Sequence, residues 1–149
     1  MTLNKSTRYA LYAAMEMALA KDRQVTATRV AGRYGIPVAV LAKVFQQLVR
    51  AGLAIGTRGT RGGYRLARPP SRLTVLDVVE AFQPPRPPGQ CLLVDDEDQR
   101  CAHPGACNLR RLFDEIEEQV RCTFASVTLE TLAGGRGRTD RGLRIIEGP

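Results

Sequence analysis

Residues 53–68 read Leu53-Ala54-Ile55-Gly56-Thr57-Arg58-Gly59-Thr60-Arg61-Gly62-Gly63-Tyr64-Arg65-Leu66-Ala67-Arg68. The segment 53–58 has the composition of a short strand, and Tyr64 to Ala67 alternates as a returning strand. Between them Gly59-Thr60-Arg61-Gly62-Gly63 concentrates residues that tolerate positive φ, which a tight hairpin requires. On the N-terminal side of this hairpin, Ile36-Pro37 opens a helix that runs to Ala51. Pro37 falls at a first-turn position where its missing N–H costs nothing, and Gly52 suits the left-handed position after the last turn. Leu41, Val44, Phe45, Leu48 and Val49 form the apolar stripe of this helix. Before it, Thr26 caps a short helix from Ala27 to Tyr34, ended by Gly35, with Val30 and Ala31 facing inward. A first helix from Thr7 to Lys21, capped by Ser6 or Thr7, repeats Tyr9, Ala13, Met17 and Ala20 at helical spacing. A helix, a helix–turn–helix and a Gly-rich hairpin in that order make a winged helix-turn-helix.

On the C-terminal side, Pro69-Pro70 ends the hairpin. A fourth helix, capped by Thr74, carries Val75, Leu76, Val78, Val79 and Phe82. Pro84-Pro85-Arg86-Pro87-Pro88-Gly89 is a stiff extended linker. A cysteine-bearing loop, 90–107, follows, and Asn108 caps a long helix. Leu109, Leu112, Phe113, Ile116, Val120, Phe124 and Val127 form one apolar stripe on this otherwise charged helix. No second helix is at hand to cover the stripe, so it is expected to be a dimer interface. Ser126 or Thr128 starts a further turn through Leu132, and from Gly134 a Gly- and Arg-rich tail is expected to be flexible. The expected organisation is a winged-helix domain (1–83), a linker and cysteine loop (84–107), a dimerisation helix region (108–133) and a tail (134–149). The fold class is mainly α with a small β wing.

The chain has 149 residues, 44% hydrophobic and 25% charged, the balance of a soluble globular protein. No apolar run approaches the ~20 residues a membrane-spanning helix needs, and the N-terminus lacks the apolar stretch of a signal peptide. A cytoplasmic protein without a membrane partner is expected. Residues 1–74 hold 13 Lys and Arg against two acids, Glu16 and Asp22. Residues 75–149 hold nine basic and 13 acidic side chains. A basic module joined to an acidic one points to a polyanion-binding head with a separate partner or sensor element.

A reading helix must show side chains that reach base edges while its other face holds the core. On the third helix those positions are Ala39, Ala42, Lys43, Gln46, Gln47 and Arg50. Gln can bond adenine bidentately, Lys can reach guanine or phosphate, and the alanines can touch only apolar groups such as thymine methyls. Thr26 and Thr28 start the second helix, where hydroxyls and backbone N–H groups meet phosphate. Arg58, Gly59, Arg61 and Tyr64 belong to a thin hairpin that fits a narrow minor groove, whose negative potential favours arginine.

Leu3 to Met15, Ile36 to Arg50 and above all the hairpin pattern R-G-x-x-G-G-Y-x-L-A resemble the Rrf-type (IscR-, NsrR- and RirA-like) winged-helix regulators. The fourth helix, the cysteine loop and Ser126 to Leu132 continue the likeness. The resemblance implies a homodimeric transcriptional regulator, such as a repressor, on a palindromic operator in double-stranded DNA. It also implies an iron–sulfur cluster, 2Fe–2S or 4Fe–4S, on three cysteines before the long helix. Cys91, Cys101 and Cys107 match those ligand positions by order and placement. Their spacing, C-x9-C-x5-C, contains no C-x2-C pair and so disfavours structural zinc. Arg110 and Arg8 stand where family members place a fourth ligand, which leaves His103, the one histidine, as the candidate, beside an acid from residues 95–98 or an outside ligand. Cys122, near Val120 and Phe124, is expected to be a packed small hydrophobe.

The reading is a DNA-binding regulator that senses iron–sulfur, redox or nitric oxide status through such a cluster. The alternative is a cluster-free regulator of the same fold answering to thiol oxidation, a metabolite or a protein partner. An enzyme is not expected, because one histidine, no catalytic triad pattern and no phosphate loop leave no second polar constellation.

Overall fold

A computed structural model describes residues 3–60, 62–85 and 107–134. The helices are α1 (Lys5–Ala20), α2 (Ala27–Tyr34), α3 (Val38–Arg50), α4 (Val75–Phe82), α5 (Asn108–Ser126) and α6 (Leu129–Gly134). Between α3 and α4 come strands β1 (Ala54–Thr57) and β2 (Gly63–Leu66) and a 3₁₀ turn at Pro70–Arg72. This is the expected mainly α fold with a two-stranded wing and a long C-terminal helix.

The core forms around α1, whose inward face is Ala10, Ala13, Ala14 and Met17. The three alanines let α3, α4 and α6 approach the α1 backbone closely. Phe45, Leu41 and Leu48 enter from α3, Val30 and Ala31 from α2, and Leu73 and Val78 from the start of α4 and the turn before it. Thr74 and Asp77 make a reciprocal cap. The Thr74 hydroxyl accepts from Asp77 N–H at 3.1 Å, and the Asp77 carboxylate accepts from Thr74 N–H at 2.7 Å.

Several local expectations change. Helix α1 starts at Lys5, capped by Asn4 rather than Ser6 or Thr7: Asn4 Oδ1 accepts from Thr7 N–H at 2.8 Å. Thr7 is buried instead, and its hydroxyl donates to Gln83 Oε1 at 2.8 Å, which also accepts from Asn4 N–H at 2.8 Å. The residue that closes α4 is thereby tied to the first turn of α1. At α5 the cap position is Cys107, and Asn108 is already helical. Thr128 does start the last helix, its hydroxyl accepting from Thr131 N–H at 3.1 Å.

The segment after α5 returns to the winged-helix domain rather than continuing an outlying arm. Val75 N–H donates to Val127 O and Leu129 N–H to Leu73 O, and Leu129 is 1% exposed within the core. Residues 86–106, which hold most of the linker and cysteine loop, and the tail from 135 onward lie outside the described residues. Among the described residues no helix is long and apolar enough to cross a membrane.

Candidate nucleic-acid interface

Thr26 caps α2 by accepting from Arg29 N–H at 3.2 Å, and Gly35 closes it at φ +63. Buried Ile36 and then Pro37 turn the chain into α3. Leu41, Val44, Phe45 and Leu48 bury one side of α3, so the opposite side faces out. Val38, Ala39, Lys43, Gln46, Val49 and Arg50 are exposed there and Ala42 is half-buried. Val49 departs from the expected stripe: it is 38% exposed. At 3.6 residues per turn it stands about 100° from Leu48, on the arc of Ala42 and Gln46. Gln47 departs in the other direction. It lies at the flank, and its Nε2 donates to the Ala81 carbonyl of α4 at 3.2 Å, so its amide is engaged within the fold.

The wing is set against this helix by an aromatic contact. The Tyr64 ring stacks on Phe45 with centroids 4.4 Å apart and planes 15° from parallel. Tyr64 therefore anchors β2 to the core. Its backbone also exchanges two 2.8 Å hydrogen bonds with Val25. Strand β1 pairs antiparallel with β2, Gly56 opposite Tyr64, and a Cβ at Gly56 would lie 3.3 Å from the Tyr64 ring. At the tip, Gly59 has φ +114 and Gly62 N–H donates to Gly59 O at 2.9 Å. A Cβ at Gly62 would sit 2.4 Å from the Thr57 carbonyl oxygen, so the turn closes only on glycine. Arg58 is exposed beside this turn, and Arg61 lies outside the described residues.

Between α3 and the wing runs an open groove of about 420 Å³ lined by Gln46, Val49, Arg50, Thr57, Arg58 and Tyr64. No acid lines it. The two acids of residues 1–74 are placed elsewhere. Glu16 is 4% exposed and held by Arg33 Nη1 at 3.0 Å and by the Tyr34 hydroxyl, which donates to it at 2.8 Å. Partial burial, and then the hydrogen bond to Glu16 and its charge, push the Tyr34 hydroxyl from 10.0 up to about 12. Asp22 follows α1 and touches no part of the groove. Thr26 and Thr28 are exposed at the start of α2.

None of the 19 residues of α5 is fully buried in the protomer. Leu109, Leu112 and Ile116 are 55%, 50% and 42% exposed, and Phe113, Val120 and Phe124 are half-buried. Arg121 pairs with Glu80 and joins α5 to α4. Cys122 is exposed, not packed, and its thiol donates to Glu118 at 3.6 Å. Two residues from both Val120 and Phe124, it falls on the opposite side of the helix. Of the expected metal ligands, Cys91, Cys101 and His103 lie outside the described residues. Cys107 is half-buried at the N-terminus of α5. Among the described residues, no three or more His, Cys, Asp and Glu side chains gather as a metal site.

The Rrf2 family model, described as an iron-dependent transcriptional regulator, matches residues 3–135. The chain belongs to the Rrf2 family. It is a DNA-binding transcriptional regulator of that family and not an enzyme. Among Rrf2-like relatives, it is 38% identical over 146 residues to BadM of Rhodopseudomonas palustris, assigned as an HTH-type transcriptional regulator, covering 95% of this chain and 90% of that protein. A second regulator so assigned, from Aquifex aeolicus, is 31% identical over 89% of this chain and 91% of its own length. CymR of B. subtilis, described as the global cysteine regulator, superposes with a TM-score of 0.73 at 26% identity, covering 91% of this chain and 98% of that one. IscR of T. potens shares the Rrf2 fold with a TM-score of 0.71 at 19% identity, over 95% and 94% of the two chains.

Proposed function

We propose that this Rrf2-family chain binds palindromic double-stranded DNA as a homodimer, with α3 in the major groove and the wing against the adjacent minor groove. The observation that carries this reading is the groove, lined by no acid among the described residues, that joins the outer arc of α3 to the arginine-bearing wing. Lys43, Gln46 and Arg50 supply donors to bases and phosphates, Ala39 and Ala42 apolar contact, and Thr26 and Thr28 phosphate contacts. Arg58, Gly59 and Arg61 form the minor-groove element. Tyr64 supports the wing from behind, and Gln47 holds α3 against α4. Leu109, Leu112, Phe113, Ile116, Val120 and Phe124 are the dimer contacts, and two reading heads on one dimer require half-sites about one helical turn apart. The test is selection of DNA from a random pool by the full chain. Recovered sites with twofold symmetry support the reading, and a pool without enrichment refutes it.

For the signal we propose the cluster-free form, a regulator answering to thiol oxidation, a metabolite or a protein partner. It is supported by the likeness to CymR, described as a cysteine regulator, and by the place of the Cys107 thiol at the start of the proposed dimer helix. A second reading, a 2Fe–2S or 4Fe–4S cluster on Cys91, Cys101 and Cys107 with His103, is favoured by the cysteine order and by the iron-dependent description of the family. Cys107 alone of that set is described, and no second ligand stands with it among the described residues. A visible absorption spectrum of anaerobically purified protein separates the two. Thiolate-to-iron charge-transfer bands that vanish in Cys91→Ala, Cys101→Ala or Cys107→Ala establish the cluster. A colourless protein whose DNA affinity changes on thiol oxidation establishes the cluster-free form.

A further inference from the structure

The first turn of α3 presents only carbon on the outer arc, and Ala42 continues it into the second. Val38 is 46% exposed, Ala39 is exposed and Ala42 is half-buried. At 3.6 residues per turn these three share that arc with Gln46 and with Val49, the exposed valine of the wing groove. The cap position offers no polar side chain either, because it is Pro37. The longer polar side chains of the arc follow, Lys43 directly after Ala42, and Gln46 and Arg50 one and two turns beyond it. Val38 serves the fold poorly where it stands: its β-branch lowers helix propensity, and nearly half its surface is in water. Val40 is also exposed, at 37%, but lies on the flank with Gln47, toward α4.

We infer that α3 reads thymine 5-methyl groups through Val38, Ala39 and Ala42. This rests on the DNA-binding reading above and specifies what the operator half-site must contain. In the major groove the thymine methyl is the one apolar feature that a base pair displays. A G·C pair at the same place shows only donors and acceptors, which a valine strips of water without replacing any hydrogen bond. The same side chains thus favour thymine and penalise its alternatives. Hydrogen-bonded readout by α3 falls to Gln46 and Lys43. The surrounding face is cationic and continuous with the wing groove, so its occupant is DNA rather than an apolar protein surface.

The test uses the tightest-binding duplex that the full chain selects from a random pool, remade with each thymine in turn replaced by deoxyuridine, which lacks only the methyl. Covering one methyl is worth about 0.8 kcal/mol, so each thymine that α3 touches should cost about fourfold in affinity when replaced. In Val38→Ser that penalty should fall below twofold at one position per half-site, with Ala39→Ser and Ala42→Ser assigning the neighbours. Penalties that stay the same in all three variants belong to DNA shape and overturn the inference. Deoxyuridine tolerated within twofold at every position, with tight binding retained, overturns it while leaving DNA binding intact. A pool that yields no preferred sequence overturns this inference and the DNA-binding reading together.

Discussion

Ile116→Glu should split the proposed dimer, and the size of the effect follows from the exposures of α5. Leu109, Leu112 and Ile116 are each about half exposed in the protomer. Full burial of such a side chain is worth roughly 1.5–3 kcal/mol, so covering the exposed half recovers about 1 kcal/mol. A twofold interface counts each residue twice, which gives about 6 kcal/mol before Phe113, Val120 and Phe124 contribute. Ile116→Glu removes about 2 kcal/mol of that covering across the two copies and forces two unpaired carboxylates out of water at several kcal/mol each. The dissociation constant should rise by more than about four decades, since each 1.4 kcal/mol is tenfold. Sedimentation velocity at micromolar protein should then show a dimer for the parent chain and a monomer for Ile116→Glu. Operator affinity should fall with it, because one reading head holds half a site. Cys122→Ser, on the other side of the helix, should sediment as the parent does. Intact dimers for both Ile116→Glu and Val120→Glu would falsify the assignment of this stripe to the interface.

Further outcomes follow from the winged-helix domain. Arg58→Ala should weaken operator binding and reduce its salt slope by about one unit for each phosphate the side chain no longer neutralises; an unchanged slope and affinity removes Arg58 from the interface. Gly62→Ala places a carbon against the Thr57 carbonyl and should lower operator affinity about tenfold, while the melting temperature moves by only a few degrees; full affinity would show that the wing tip does not touch DNA. Gln46→Ala should relax base preference at one position by about 1–3 kcal/mol. Gln47→Ala should instead weaken all sequences alike, because α3 is no longer tied to Ala81, and a base-specific effect there would exchange the two roles. Because the Tyr34 hydroxyl is raised to about 12, its contribution to stability is present below pH 10 and is lost as pH rises toward 12. Glu16→Gln should bring the tyrosinate titration of Tyr34, read as the difference from Tyr34→Phe, back toward 10; a titration unmoved by the substitution would sever the link to Glu16.

The helices and the wing were legible in the sequence because each carries its own signal at short range. Thr26 with Gly35, the Pro37 to Gly52 interval and the Gly-rich turn at 59–63 are local stop and start chemistry, and the structure places elements between them. What escaped the sequence depends on residues distant along the chain. Thr7 has the chemistry of a cap, but Gln83, 76 residues later, draws its hydroxyl inward and leaves the cap to Asn4. Gln46 and Gln47 are equivalent by composition, and only the position of the Ala81 carbonyl separates the exposed amide from the engaged one. Val49 is the exception that spacing alone could resolve, since its angle on α3 already sets it with Ala42 and not with Leu48. Cys122 is the same case on α5.

The crossing of Val127 and Leu129 onto Leu73 and Val75 also governs how the protein is made. The core beneath the reading head lacks Leu129 until the ribosome has delivered almost the whole described chain. A nascent chain that has emerged only as far as α4 holds α1 with an uncovered flank where α6 belongs, so the winged helix closes only once α6 has emerged. By then α5 has emerged too, and its apolar side becomes available for pairing in the same interval in which the reading head becomes competent. Fragments cut at the proline linker should for this reason be less stable than their compact N-terminal fold suggests. Core closure and encounter with a second copy become neighbouring steps.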